Sequence, residues 1–587
     1  VTLMALAWQP MLLSLPAQAA FSPPLIQLYD SPFLVGERVP PQVMLAITKD
    51  QQLFKKAYDD FSDLDGDGLI DTTYKHSVDY YGYFDPKKCY SYSDDSKRFE
   101  PASVSESKYC NGQWSGNFLN WATMSRMDAL RKVLYGGLRS PTRSSGDGNG
   151  VADGDTGNST VLERAYLPND SHAYVKYYSG ADTNQLTPFA AEVTTFQAMP
   201  YSTAAANNSI STVNKELVLP SGVTVTADEW VQLTAADGSY VRGQISTTGS
   251  GSSKRIQVKN ITALNTYIAE NSATNGVGVA TASPGWTVRY LRTGGISICN
   301  TTVADGTTGS NGYSETNANL PRIRVARGDY GLWTAQEKWQ CLWGNGTSQN
   351  NPALSGIMSY PSAPSQSSAG LGGMSGSKGD YFVRVKVCDP ALIGTERCKQ
   401  YPSGNYKPVG LLQIFGEPDR IRFGLMTGSY KRNLSGGVLR KNVSRITDEI
   451  AVTTNGSFLN LPDAGVPAGP SPGSSTTSIE GGSIIRTLSL LRIVGYSHSS
   501  GWYGDADKCP YQRALNSNGE CRSWGNPMSE VFYEGLRYFA GETAPTAAFT
   551  ADDQLIIPKL ATAKWPTTRN VVLSARNYCA PISMIVV

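Results

Sequence analysis

Apolar residues in this chain gather in a few short runs set far apart by polar stretches. "PQVMLAIT", residues 41–48, is short and apolar at most positions, the pattern of a buried strand. "RIRFGLMTG", around Phe423 to Met426, and the terminal "ISMIVV" read as strands in the same way. "NFLNWATMSRMDALRKVLYGG" instead places Leu119, Ala122, Met127, Leu130 and Leu134 at helical spacing, with Arg131 and Lys132 near its end and Gly136 as a stop. It predicts one helix over 118–135. "SIIRTLSLLRIVG" satisfies either a helix or a strand. "NPMSEVFYEGLRYFAG" is the clearest helix: Asn526 caps it, Pro527 occupies the first turn, Gly541 closes it, and Met528, Val531, Phe532, Leu536 and Phe539 share one face. Strands alternating with helices predict an α/β fold with a mostly parallel sheet.

Between these elements, residues 195–320 are rich in Ser, Thr, Gly, Asn and Ala, with alternating pieces such as "GVTVTADEWVQL" and "GSYVRGQI" that predict β hairpins on an inserted subdomain. Residues 462–482 read as a flexible loop by composition. The chain therefore divides into a leader (1–19), a first part of the α/β domain (20–194), a β-rich insertion (195–320), a cysteine-bearing insertion (321–410) and a second part of the α/β domain (411–587). Insertions of this size at strand ends are where binding surfaces are built.

Composition adds that the chain is globular: 587 residues, 40% hydrophobic, with a formal charge of +2 that favours neither nucleic acid nor acidic membranes. "VTLMALAWQPMLLSLPAQAA" has the short apolar run and small residues of a secretory signal with cleavage after Ala19, although the basic leading region is absent. No later segment approaches the roughly 18 apolar residues of a membrane helix, so an exported, soluble product is expected. Eight of the nine cysteines form sequence-local couples, Cys89 with Cys110, Cys299 with Cys341, Cys388 with Cys398 and Cys509 with Cys521, the simplest disulfide pairing in an oxidising compartment, though spacing alone does not settle connectivity. Cys579 is left over, and with the strand-like run that follows it this predicts more protein, and a partner for Cys579, beyond Val587.

The densest candidate chemistry is "SDLDGDGLIDTTY", residues 62–74. Calcium loops of the EF-hand or dockerin kind take oxygen ligands from positions 1, 3 and 5, a backbone carbonyl at 7 and a side chain or water at 9, with glycine at 6. Those positions are Asp63, Asp65, Asp67, the Leu69 carbonyl and Asp71, with Gly68 at the turn and Ile70 expected to point into the core. Position 12 departs from the pattern: it is Tyr74 where a bidentate acid belongs, so Asp79, Asp85 or water must complete the shell of a bound Ca²⁺. A weaker acidic patch at 146–157 offers Asp147, Asn149, Asp153 and Asp155 without matching a loop template, and a plain glycine-rich turn explains it better.

"DLDGDGLIDTTY", "GQWSGNFLNWATMSRMDALRKVLYGG", "VLERAYLP", "RVARGDYGLW" with "KWQCLW", "YKPVGLLQ", "SEVFYEGLRYFAG" and "NYCAPISMIVV", in that order, resemble the N-terminal region of the PilY/PilC family of type IV pilus tip adhesins and biogenesis factors. The resemblance implies a von Willebrand factor A-like, Rossmann-like sheet with large β-rich insertions, followed in full-length members by a C-terminal β-propeller. It also implies a place at the pilus tip and outer cell surface, reached through the periplasm, with minor pilins and a host or abiotic surface ligand as partners. Von Willebrand A domains often carry a D-x-S-x-S adhesion site after the first strand. Here "QVMLAIT" runs into "KDQQLF", so Asp50 is present without its serines, and metal chemistry belongs instead to the loop at 63–71.

"RGD" at Arg327, Gly328 and Asp329 invites an adhesion reading, but three-residue matches are cheap and aromatic flanks suggest a packed segment. The three histidines, His76, His172 and His498, show no zinc spacing, and no nucleophile elbow or P-loop is present. The residues predict a calcium-binding protein without a recognisable catalytic motif, and the resemblance implies a non-catalytic pilus adhesion and assembly protein. The alternative is a secreted, calcium-stabilised carbohydrate-active or carbohydrate-binding protein.

Overall fold

The computed structural model describes residues 39–140, 160–189, 295–302, 321–327, 340–341, 380–459, 482–497, 502–503, 517–557, 560, 562–568 and 580–587, and the backbone of six strands between 195 and 290. The three predicted strands meet in one sheet. Numbering that sheet's strands in chain order, β1 is Gln42–Ile47, β2 Arg422–Thr427, β3 Val438–Ser444 and β4 Ile582–Val586, and their spatial order is β3-β2-β1-β4. β1 is parallel to both neighbours, with Leu45 opposite Leu425 on one side and Ile585 on the other, while β3 runs antiparallel to β2.

The helices that bear on the core and the site are α1 Gly116–Thr123, α2 Arg126–Tyr135, α3 Leu411–Gly416, α4 Ile484–Leu490 and α5 Met528–Phe539. Every residue of β1 is buried, which is why it is apolar without alternation. Val43, Leu45 and Ile47 join a core with Met127 and Leu134 of α2 and Ile484, Ile485 and Leu488 of α4, whereas Met44 and Ala46 pack with Val531, Tyr538 and Phe539 of α5. Each such aliphatic side chain contributes roughly 1.5–3 kcal/mol by leaving water.

Several expectations change here. The single helix predicted over 118–135 is two. Ser125 caps α2 by accepting from the Asp128 amide, the Asp128 carboxylate accepts from the Ser125 amide in return, and Thr123 bonds back to the Leu119 carbonyl; this reciprocal box starts a new helix and breaks the apolar period that spanned it. Gly136 does stop α2, at φ 90°, with the Pro408 carbonyl 2.5 Å from where a Cβ would sit. The ambiguous run 483–495 supplies α4. Pro527, not Asn526, is the cap residue of α5, and no side chain bonds there. The buried face of α5 is Val531, Glu534, Gly535, Tyr538 and Phe539, leaving Phe532 and Leu536 exposed.

The expected predominance of parallel pairing is also corrected. Outside the β1 sheet, the described strands pair antiparallel except where Val385 meets Phe99. Lys88–Ser93, Arg98–Val104, Trp114–Ser115, Arg384–Val387 and Thr160–Glu163 form a five-stranded sheet; Tyr174–Tyr178, Ile296–Thr301, Arg322–Arg327 and Asp380–Phe382 form a four-stranded one. The six strands between 195 and 290 close into a barrel, in which Trp230–Thr234 and Tyr240–Thr248 make the hairpin that alternation predicts. Disulfides join Cys89 to Cys110, Cys299 to Cys341 and Cys388 to Cys398. Cys521 is also disulfide-bonded; Cys509 and Cys579, like the leader at 1–19, lie outside the described residues.

Candidate functional site

The aspartate loop is built from its own backbone. Gly66 and Gly68 take φ 75° and 86° with open space where a Cβ would sit, so glycine is needed for conformation and not for room. That curl turns successive amides inward: Asp63 accepts from Gly66 at 2.7 Å, Asp67 at 3.2 Å and Gly68 at 2.9 Å, and Asp67 accepts from Leu69 at 2.8 Å. Asp71 closes the loop, its amide on the Ser62 carbonyl and its Oδ2 accepting from Leu64 at 2.7 Å. Carboxylate oxygens of Asp63, Asp65 and Asp71 thereby come within 4.8 Å of one another. Asp71 is buried and the other three acids are exposed.

One cation already serves this cluster. Lys75 Nζ lies 2.7 Å from Asp65, 3.1 Å from Asp67 and 2.5 Å from Asp71. Hydrogen bonds to Asp65 and Asp71 push the Lys75 amine upward, the Leu69 amide holds Asp67 down, and Lys75 does the same for Asp71. Four carboxylates against one ammonium leave negative charge in excess, and an all-oxygen donor set of this spacing suits a hard cation such as Ca²⁺.

Tyr74 explains the departure at position 12. It is buried, stacks on Tyr80 at 5.4 Å, and its hydroxyl accepts from Asn117 of α1 at 3.0 Å, so this position anchors the loop on the helix and supplies no ligand. Neither proposed substitute is free to help. Asp79 pairs with Lys108, and Asp85 is buried on Thr395 and Lys88. Ile70 is 62% exposed, correcting its expected inward direction, and Leu69, at 69%, and Phe61, at 73%, stand out beside it.

The end of β1 is chemically different. Asp50 caps a short 3-10 turn, Gln51–Phe54, by accepting from Gln52 at 2.9 Å. Lys49 Nζ donates to the Arg522 and Trp524 carbonyls at 2.7 and 3.1 Å. Beyond β2, Asp553 binds the buried Arg440 guanidinium and accepts from Ser429 Oγ at 2.8 Å and the Lys431 amide at 2.9 Å. Asp553 is thus neutralised by Arg440, while the Lys49 ammonium is engaged by backbone carbonyls. Sequence reading did not find Ser429, Arg440 or Asp553, which no local motif connects.

Arg327 ends a strand opposite Ile296, while Gly328, Asp329 and the acidic patch at Asp147, Asn149, Asp153 and Asp155 lie outside the described residues. A second grouping of ligand-type side chains, Cys388, Glu396 and Cys398, has its sulfurs in a disulfide. His172 is buried between Asp170, at 2.8 Å, and Gln51, at 2.9 Å, and His76 stacks on Tyr109. No helix among the described residues is long and apolar enough to cross a membrane.

Two family models match the chain: one described as PilY1 homolog, small alpha/beta domain, over residues 71–220, and one described as PilY1 homolog, second domain, over residues 423–587. Among curated proteins, a type IV pilus biogenesis factor PilY1 homolog of Xylella fastidiosa strain Temecula1 is 30% identical over 515 residues, covering 86% of this chain and 24% of the relative. Another protein of that name and strain is 38% identical over 105 residues, 16% of this chain and 8% of the relative. The match thus spans about a quarter of the length of the first relative. No solved structure matches.

Proposed function

The chain belongs to the family of PilY1 homologs, and from that premise we propose that it is a non-catalytic, exported part of a type IV pilus biogenesis factor that sits at the pilus tip, supports assembly and twitching, and contributes to surface attachment. The observation that carries the reading is the extent of the family match, 86% of the chain to a relative named as a type IV pilus biogenesis factor. Minor pilins and a host or abiotic surface are the partners it requires.

Within that role, Asp63, Asp65, Asp67, Asp71 and the Leu69 carbonyl would hold one Ca²⁺. When bound, the ion supplies charge neutralisation and nothing catalytic. The loop passes its order to α1 through Tyr74 and Asn117. We further read the β3-β2-β1-β4 sheet as von Willebrand factor A-like: a 3-2-1-4 order with an antiparallel edge is that of a doubly wound sheet, whose crevice opens where the order reverses, beside β1. Lys49 and Arg440 in that region argue against an adhesion metal there and leave the aspartate loop as the calcium site.

Replacing the gene by one encoding Asp63→Asn and Asp67→Asn tests both levels. The expected result is fewer surface pili and weaker attachment, with calcium binding lost in the purified protein. Normal piliation and attachment after complete deletion of the gene would overturn the pilus role, whichever way calcium binding fell.

A further inference from the structure

Lys88 opens the strand Lys88–Ser93 with its ammonium fully buried. Two carboxylates face it, Glu396 Oε1 at 2.8 Å and Asp85 Oδ2 at 3.8 Å, yet neither contact has hydrogen-bond geometry, and among the described residues nothing else hydrogen-bonds Lys88 Nζ or Glu396 Oε1. The Lys88 and Asp85 side chains are fully buried, and that of Glu396 is 8% exposed. Gly394, at φ 59°, is pressed so tightly over the group that a Cβ there would lie 2.5 Å from Asp85 Oδ2 and 2.7 Å from Lys88 Cε. Buried Tyr90 borders it, its hydroxyl accepting from the Asp85 amide at 2.8 Å.

The two acids are held differently. Asp85 accepts from the Lys87 amide at 2.9 Å, Thr395 Oγ1 at 2.6 Å and the Thr395 amide at 2.7 Å. Glu396 accepts from the Cys388 amide at 2.5 Å on Oε2 alone, which turns Oε1 to Lys88. Burial pushes the Glu396 carboxyl upward, against the pull of Lys88. Two carboxyls around one ammonium in a dry site favour keeping one carboxyl protonated, and Glu396 is the one with fewer donors. The Cys388–Cys398 disulfide closes the short loop that presents it.

We propose that Lys88 and Glu396 condense in the folded chain into an intramolecular amide, an isopeptide cross-link, with Asp85 as the base. The Asp85 carboxylate takes one proton from the Lys88 ammonium. The freed amine lone pair attacks the carboxyl carbon of neutral Glu396, forming the C–N bond. The C–OH bond then breaks, and the hydroxyl departs as water with a second proton from the nitrogen. Asp85 ends protonated, charge is conserved, nothing is oxidised or reduced, and the product weighs one water less. Fixed contact replaces an encounter, an advantage worth effective molarities of roughly 10⁵–10⁸ M in well-oriented intramolecular reactions, and burial of the Lys88 and Asp85 side chains limits the access of water. The reaction occurs once per molecule, so it makes the chain a self-modifying protein and not a turnover enzyme. The cross-link requires neither calcium at the aspartate loop nor a place on the pilus.

The test is mass spectrometry of the full exported chain after reduction and alkylation. The expected intact mass is one water below that calculated for the mature sequence with its cysteines alkylated, and proteolysis yields a branched peptide joining the segments that contain Lys88 and Glu396. Lys88→Met and Glu396→Ala each restore the full mass. Asp85→Asn keeps the side chain's shape and removes the base; in protein whose Cys388–Cys398 disulfide has formed, the cross-linked fraction after a fixed folding time falls by about 10²-fold or more. Unlinked Lys88 and Glu396 peptides recovered from full-mass wild-type protein would overturn the proposal, as would a water loss mapped elsewhere. The wild-type measurement decides the matter even where a variant does not fold.

Discussion

Lys75 Nζ lies 2.5 Å from Asp71 Oδ1, the buried acid of the aspartate loop, and bridges from there to Asp65 and Asp67. A side chain of the protein therefore competes for the oxygens that a calcium ion would take.

This pairing sets a two-sided pH window. Asp67 and Asp71 titrate below the ordinary carboxylate range and Lys75 above the ordinary amine range. The acids contribute stability above their unfolded value of about 3.9 and lose it as pH falls through their folded values; Lys75 contributes below about 10.4 and loses it as pH rises through its folded value. Amide-exchange protection factors at Leu64 and Leu69, whose N–H groups bond Asp71 and Asp67, should be flat between about pH 5 and 9 and fall on both sides. Protection that climbs steadily through neutrality would contradict the pairing.

Calcium titration should release or absorb heat with a Kd of about 10⁻⁴ to 10⁻³ M, the range of extracellular modules. Asp63→Asn with Asp67→Asn, which keeps acceptors for the loop amides, should lower the melting temperature in calcium and leave it nearly unchanged in chelator. Lys75→Met removes the competing charge and should tighten calcium binding about fivefold. A wild-type melting temperature indifferent to chelator, with no calorimetric signal, would make the loop a lysine-bridged acidic turn.

Asp553→Ala leaves the Arg440 guanidinium buried without its carboxylate and should cost about 3–5 kcal/mol. Arg440→Met combined with Asp553→Leu should cost less than Asp553→Ala alone. Denaturant midpoints check this, and equal losses in the single and double variants would show that the ion pair itself is immaterial.

Ser125→Ala removes one arm of the capping box at α2 and should cost about 0.5–2 kcal/mol, with Ser125→Gly losing only a few tenths. Thermal unfolding measures the difference. If both variants melt like wild type, α2 is held by packing alone.

What was legible in the sequence is what short range enforces. The aspartates at 63–71 and their glycines lie within one turn of chain, so their spacing alone brings the carboxylates together around Asp63. β1 and β2 were visible because a strand buried on both faces is apolar almost throughout; β4 reads the same way in the sequence, although Ile582, Ile585 and Val586 are exposed. The paired cysteines at 89 and 110, 299 and 341, and 388 and 398 follow from small loops.

Tertiary structure decided what depends on distant neighbours. The face of α5 that turns inward is set by Met44, Met426 and Leu439 in the sheet beneath it, so Gly535 and Glu534 are buried while Phe532 and Leu536 stay outside. The break between α1 and α2 was written locally, as Ser125 and Asp128, but an apolar period running across it masked the cap. Tyr74 belongs to the aspartate loop by position and to the aromatic core by packing, and packing prevails because a phenol gains more from Tyr80 and Asn117 than from a cation. Arg440 with Asp553, and Lys88 with Glu396, left no local pattern. Burial makes an unpaired charge too costly to keep, and only the folded chain determines which distant partner satisfies it.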